Sequence, residues 1–196
     1  PDGVLGALIG DDGDRGVAAA ALTGMSRHTL AALLQEGVSP ARALRRLNAG
    51  LRRARSWRFV TAGVALVRPV AGGLSVQWSS CGHPPPVIMR AAGPAEPGRG
   101  GGVPLGVLPQ ASVGLSRVRL GAGDTLLMFT DGLTESRDRR GRMFEDVALF
   151  PTLESLRDRP LDALVHELSA AATGFGTNGA DDIAVLAIRA KGPGDG

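Results

Sequence analysis

Four acidic positions share one placement. Asp11 follows an apolar run, Val4 to Ile9; Asp131 follows another, Thr125 to Phe129; Asp181 and Asp182 precede a third, Ile183 to Ile188. Each run has the length and composition of a buried strand. If the three strands were neighbours in one sheet, with the last antiparallel to the others, the carboxylates would gather at one end of it. That grouping is repulsive unless cations neutralise it. Hard cations such as Mg²⁺ and Mn²⁺ prefer such oxygen ligands. Two of them about 3.5–4 Å apart clamp a phosphoryl group and activate a water for in-line attack. Taken singly, each acidic turn is also ordinary punctuation, because Asp tolerates turn geometry and Gly supplies positive φ. Taken together, every one lies at the end of an apolar strand. The spacing leaves both readings open.

Other residues able to do chemistry read more plainly. The single cysteine, Cys81, excludes an internal disulfide and a multi-cysteine zinc site, and is expected to be a small buried residue. His83 sits in the Pro-rich break Gly82-His83-Pro84-Pro85-Pro86 and is expected to make a structural hydrogen bond. His28 and His166 fall on predicted helices as partly buried residues without an assigned role. Gly100-Gly101-Gly102 lacks the Lys-Ser/Thr of a phosphate loop. Arg137, Arg139, Arg140 and Arg142 follow the Asp131 turn. They form either a solvated loop or a face for bidentate contact with a phosphoprotein.

The 196 residues correspond to one domain, and 43% hydrophobic residues suffice for a core. Lys191 is the only lysine among 22 basic residues; the rest are arginine. With a net charge of only +3 and no Tyr, two Trp and five Phe, stacking surfaces for nucleic acid are scarce. The longest apolar run, Phe59 to Val67, is about half of a membrane span. The chain begins Pro1-Asp2-Gly3, without a basic-then-apolar leader. It reads as a piece of a longer, cytoplasmic protein.

The elements that must position the acids follow from periodicity. A helix is expected from Val17 to Gln35, stopped at Gly37. Ser39-Pro40 opens a second helix, with Leu44, Leu47 and Leu51 on one face. Phe59 to Val67 and Leu74 to Ser80 read as a hairpin, Val87 to Met89 as a short strand, and Ala91 to Gly102 as a mobile loop. Val113 to Leu120 reads as a strand, and Asp131-Gly132 ends the strand before it. Helices are expected over Val147 to Arg157 and Leu161 to Thr173. Helices in two blocks around a run of strands predict an α+β fold of packed antiparallel sheets with helices outside.

Six segments then resemble a known family, in its order. They are Gly10-Asp11 followed by Gly16-Val17-Ala18-Ala19-Ala20, Arg58-Phe59-Val60-Thr61-Ala62, and Cys81-Gly82-His83-Pro84-Pro85-Pro86. Pro104-Leu105-Gly106-Val107-Leu108, Phe129-Thr130-Asp131-Gly132-Leu133-Thr134-Glu135 and Asp181-Asp182-Ile183-Ala184-Val185-Leu186 complete the set. Together they resemble the bacterial metal-dependent protein phosphatases related to sporulation stage II protein E, a branch of the type 2C (PPM) serine/threonine phosphatases.

The resemblance implies a type 2C sandwich of two antiparallel β-sheets flanked by α-helices, over residues 1–190, with 191–196 a disordered tail. It implies catalytic and metal carboxylates at Asp11, Asp131 and Asp181, with the backbone carbonyl of Asp12 assisting, around two Mn²⁺ or Mg²⁺ ions. Asp182 stands where relatives carry Asp or Asn. Metal-activated water would be the nucleophile. The implied substrate is a phosphorylated regulatory protein of the anti-sigma factor antagonist type, and the implied neighbour is an upstream sensor domain. Asp14 replaces a usual glycine, and the chain opens after the acidic Gly-Gly-Asp segment with which relatives begin. The rival implication is a pseudophosphatase that docks a sigma-factor regulator without turnover.

Overall fold

The first apolar run forms β1, Leu5–Asp12, so Asp11 lies within the strand rather than in a turn beyond it. The computed structural model describes residues 3–12, 17–54, 59–176 and 182–192, and only the backbone of residues 12 and 18. It divides into two units: Pro1–Pro85 with Arg99–Arg119, and Pro86–Gly98 with Leu120–Gly196.

In the first unit, α1 spans Val17–Gln35. Gly37, at φ 77°, ends it: the Gly37 and Val38 N–H groups donate to the Leu34 and Leu33 carbonyls. Only a residue at ease with positive φ closes a helix this way. Pro40 then starts α2, Pro40–Arg53, where its missing N–H has no helical partner to lose. β2 (Val60–Val70) and β3 (Gly73–Cys81) form the expected hairpin, and β1 pairs antiparallel with β2. Leu30 and Leu34 of α1 and Leu44, Leu47 and Leu51 of α2 bury against Val60, Ala62, Val64 and Leu66.

In the second unit, β4 (Val87–Met89) pairs with β5 (Glu96–Pro97), and with β7 (Thr125–Phe129), which pairs with β8 (Val185–Arg189). β6, Ser116–Gly121, lies beside β3, so the two sheets run β1-β2-β3-β6 and β5-β4-β7-β8. The segment expected to be a mobile loop is pinned instead: it contains β5, and Ala95 donates its N–H to Glu154 at 2.6 Å. Asp131-Gly132 does not simply end a strand but opens the one-turn helix α3, Asp131–Thr134.

The helix expected over Val147 to Arg157 is present as α5, Leu149–Ser155, and a separate one-turn helix, α4, Phe144–Val147, precedes it. Pro151 explains the break between them, because its ring would meet the carbonyl four residues back, at Val147. α6, Leu161–Phe175, covers the sheet through Leu164, Leu168 and Ala172. Phe175 meets Phe144 edge to face at 5.5 Å. His28 and His166 are exposed. Among the described residues no helix is long and apolar enough to cross a membrane.

Candidate metal centre

The strands expected to carry the predicted carboxylates belong to different sheets. β1 carries Asp11 in the first sheet, whereas β7 and β8 belong to the second. The condition that all three strands be neighbours in one sheet is therefore not met. Strand β1 spends its eight residues pairing with β2, from Leu5 opposite Val67 to Asp12 opposite Val60. The expectation that the last strand runs antiparallel to β7 holds.

Asp11 is half-buried, opposite Thr61. Its N–H donates to the Thr61 hydroxyl at 3.3 Å, and that hydroxyl lies 3.2 Å from the Asp11 carbonyl. His83 Nδ1 stands 3.4 Å from the same hydroxyl, and the His83 ring is buried. The single hydroxyl proton serves either the Asp11 carbonyl or the imidazole. The chain approaches itself closely here. A Cβ on Gly10 would sit 2.5 Å from the Thr61 carbonyl oxygen, and one on Gly63 would drive into the Trp78 ring. Both positions require the absence of a side chain. Asp14 and the Asp12 side chain lie outside the described residues.

In the second unit, Asp131 is the first residue of α3, directly after β7. Its carbonyl accepts the Glu135 N–H at 2.8 Å and the Thr134 hydroxyl at 3.1 Å. Its half-buried carboxylate receives no hydrogen bond and no ion pair among the described residues. Thr130 ties this point to the segment before β8. Its hydroxyl donates to the Asp182 carbonyl at 2.9 Å and accepts the Ala184 N–H at 2.9 Å, and its N–H donates to the Ala184 carbonyl at 3.0 Å. Asp182 is exposed, and Asp181 lies outside the described residues. Among the described residues, no three His, Cys, Asp or Glu side chains gather to hold a metal.

The setting of Asp131 suits a hard divalent cation. A half-buried carboxylate without donors is costly unless a cation or water completes it, and the predicted ligands are all oxygens. Thr61 and Thr130, which brace the two acid-bearing ends, were not singled out from sequence. Both lie inside the quoted motifs, but a hydroxyl's partner is set by strand register.

A second acid flanks β7 with the opposite environment. Asp124 accepts N–H bonds from Ala91 at 2.8 Å and Gly121 at 3.0 Å, and pairs with Arg90 at 2.9 Å; Arg90 also holds Glu96 at 2.7 Å. Burial alone would raise its carboxyl, but the Ala91, Arg90 and Gly121 donors together outweigh burial and hold it below the usual range. Cys81 is inert: burial pushes its thiol up to about 11 against the pull of Arg45.

The description "Stage II sporulation protein E (SpoIIE)" matches residues 1–191. No curated protein matches the chain. Among solved structures, the chain is similar to the RsbU and RsbW domains of Rv1364c from Mycobacterium tuberculosis. The two are 26% identical with a TM-score of 0.82, over 97% of this chain and 52% of that one. The chain thus spans about half the length of that solved chain. The phosphatase domain with a regulatory fragment of SpoIIE from Bacillus subtilis is 18% identical, with a TM-score of 0.77, over 97% of this chain and 55% of that one. RsbX, solved in complex with magnesium, is 15% identical, with a TM-score of 0.70, over 97% of this chain and 83% of that one. These two likenesses establish the type 2C fold, a pair of antiparallel sheets with helices.

Proposed function

The chain belongs to the stage II sporulation protein E family of type 2C serine phosphatases, and on that basis we propose that it hydrolyses phosphoserine or phosphothreonine on a regulatory protein. The domain would span residues 1–190 and work in the cytoplasm. The observation that carries the reading is Asp131, a half-buried carboxylate held at a strand end with no donor among the described residues.

Asp11, Asp131 and Asp181 would hold two divalent cations, Mn²⁺ or Mg²⁺, with the Asp12 carbonyl assisting. When bound, such a cation supplies positive charge to the phosphoryl group and makes a water acidic near neutral pH. The chain's own part is placement. Thr61 holds the backbone of Asp11 by accepting its N–H, with the hydroxyl also 3.2 Å from the Asp11 carbonyl. Thr130 fixes the segment leading out of Asp181 against the end of β7. The substrate is read as an anti-sigma factor antagonist, a reading supported by similarity to a protein carrying RsbU and RsbW domains.

The test is hydrolysis of p-nitrophenyl phosphate with Mn²⁺, Mg²⁺ or EDTA. Turnover that needs the cation and vanishes in Asp131→Ala is the expected result. A folded chain inert with both metals would instead mark a docking module.

A further inference from the structure

The loop that leaves α3 carries four arginines, and the structure divides them. Asp138 organises the turn. Its carboxylate accepts the N–H groups of Arg140 at 2.8 Å and Arg142 at 3.0 Å and pairs with the Arg142 guanidinium at 2.8 Å. The Gly141 N–H donates to the Asp138 carbonyl at 2.9 Å, and Arg137 bridges to Met143 across the base. Arg137 donates to the Gly141 carbonyl at 3.1 Å. The base is anchored in turn, because the Ser136 hydroxyl donates to the Gly132 carbonyl and the Phe144 N–H to the Ser136 carbonyl. Asp138, Arg142 and Arg137 are thus engaged within the loop. Arg139 and Arg140 stand exposed at the tip, and neither guanidinium has a partner among the described residues. The nearby acids Glu145 and Asp146 belong to α4, on the base side of the Arg137–Met143 bridge.

A turn held by its own acid, with two guanidinium forks at the tip unpaired among the described residues, is prepared to receive carboxylates with little ordering cost. The tip also lies within a bounded distance of the proposed reaction centre. Asp131 begins α3, which rises ~1.5 Å per residue, and the chain from Thr134 to Arg139 spans at most ~3.5 Å per residue. Arg139 therefore lies no more than ~22 Å from Asp131, which an extended peptide covers in about seven residues.

We propose that Arg139 and Arg140 are the docking tip for an acidic stretch of the phosphoprotein substrate, within about seven residues of its phosphorylated side chain. This rests on the phosphatase reading for the location of the phosphate, but the docking itself is measured separately. Two phosphoserine peptides serve as probes, one with four Asp or Glu three to seven residues from the phosphoserine, the other with Asn and Gln in their place. Phosphate release with Mn²⁺ gives kcat/KM, and fluorescence anisotropy gives binding.

The expected result is an acidic-peptide preference of about tenfold, lost in Arg139→Glu/Arg140→Glu and regained by that variant on a Lys-rich peptide. Turnover of p-nitrophenyl phosphate should be unchanged in the variant. A double-Glu variant that keeps the preference, or a wild type that shows none, overturns the proposal. So does tighter binding of single-stranded polyuridine RNA at the same two residues. A wild type inert toward p-nitrophenyl phosphate strikes the phosphatase reading instead, while anisotropy still reports docking.

Discussion

Asp124 and Asp131 bracket the same five-residue strand, yet their surroundings are opposite. Asp124 is 8% exposed and saturated, with two backbone N–H groups and a guanidinium on its oxygens. Asp131 is half-buried and has no donor among the described residues. A carboxylate that the fold has already satisfied is structural: its removal leaves orphaned donors. A carboxylate left unsatisfied contributes little to folding and is available to a cation. One strand thus carries a latch at its start and a candidate ligand at its end.

Exchanging the two roles by mutation tests this contrast most directly. Asp131→Ala should lower cation-dependent phosphatase turnover at least ~100-fold. Its urea unfolding midpoint should stay at or above wild type, since no donor among the described residues is orphaned. A large fall in that midpoint would remove the distinction. Asp124→Asn should do the reverse. We expect a loss of about 3 kcal/mol in urea unfolding, because a mostly sheltered pair with Arg90 and two N–H bonds are disrupted. Activity per folded molecule should be retained.

Asp11 extends the comparison to the other sheet. There the backbone, rather than the carboxylate, is held by the fold, and Gly10→Ala should disturb it. The new Cβ meets the Thr61 carbonyl oxygen at 2.5 Å, so we expect about 2 kcal/mol of destabilisation by urea together with weaker Mn²⁺ binding by titration calorimetry. Thr61→Val should weaken Mn²⁺ binding with a smaller stability loss, about 1 kcal/mol, and Thr61→Ser should restore it.

The smallest effect is on pH. The Asp124 carboxyl is lowered in the folded chain from a usual value of 3.8. Below that value the unfolded chain binds the proton more readily, so this contribution is fully present above it and is lost as pH falls through the lowered value. Acid unfolding curves of wild type and Asp124→Asn should therefore converge below pH 3.8. Parallel curves throughout would contradict the latch.

These contrasts also mark what the sequence discloses. The ends of α1 and α2 were legible because Gly37 and Pro40 act on their own residues. The short helix α4 ahead of Ala148 was not legible, although Pro151, whose clash falls four residues upstream, marks where it must end. That β1 joins β2 rather than β7 is a long-range pairing, and no local pattern in Val4 to Ile9 names its partner. Asp124-Thr125 and Thr130-Asp131 look equally like strand-end acids. Only the arrival of Ala91, Gly121 and Arg90 separates them, and two of those groups come from a remote stretch of chain. The six motifs located Asp11 and Asp131, while the bracing by Thr61 and Thr130 depended on register.

The interleaving of the two units has a consequence for biosynthesis. Strand β4 emerges with only the two-residue β5 to pair with, because its other partner, Leu127 opposite Val87, lies 40 residues further on. At roughly 5–20 residues per second, Val87-Ile88-Met89 waits on the order of seconds with one edge open. That edge of the nascent chain is therefore open to misassociation between the synthesis of β4 and that of β7, a window that a ribosome pause after Gly98 would lengthen.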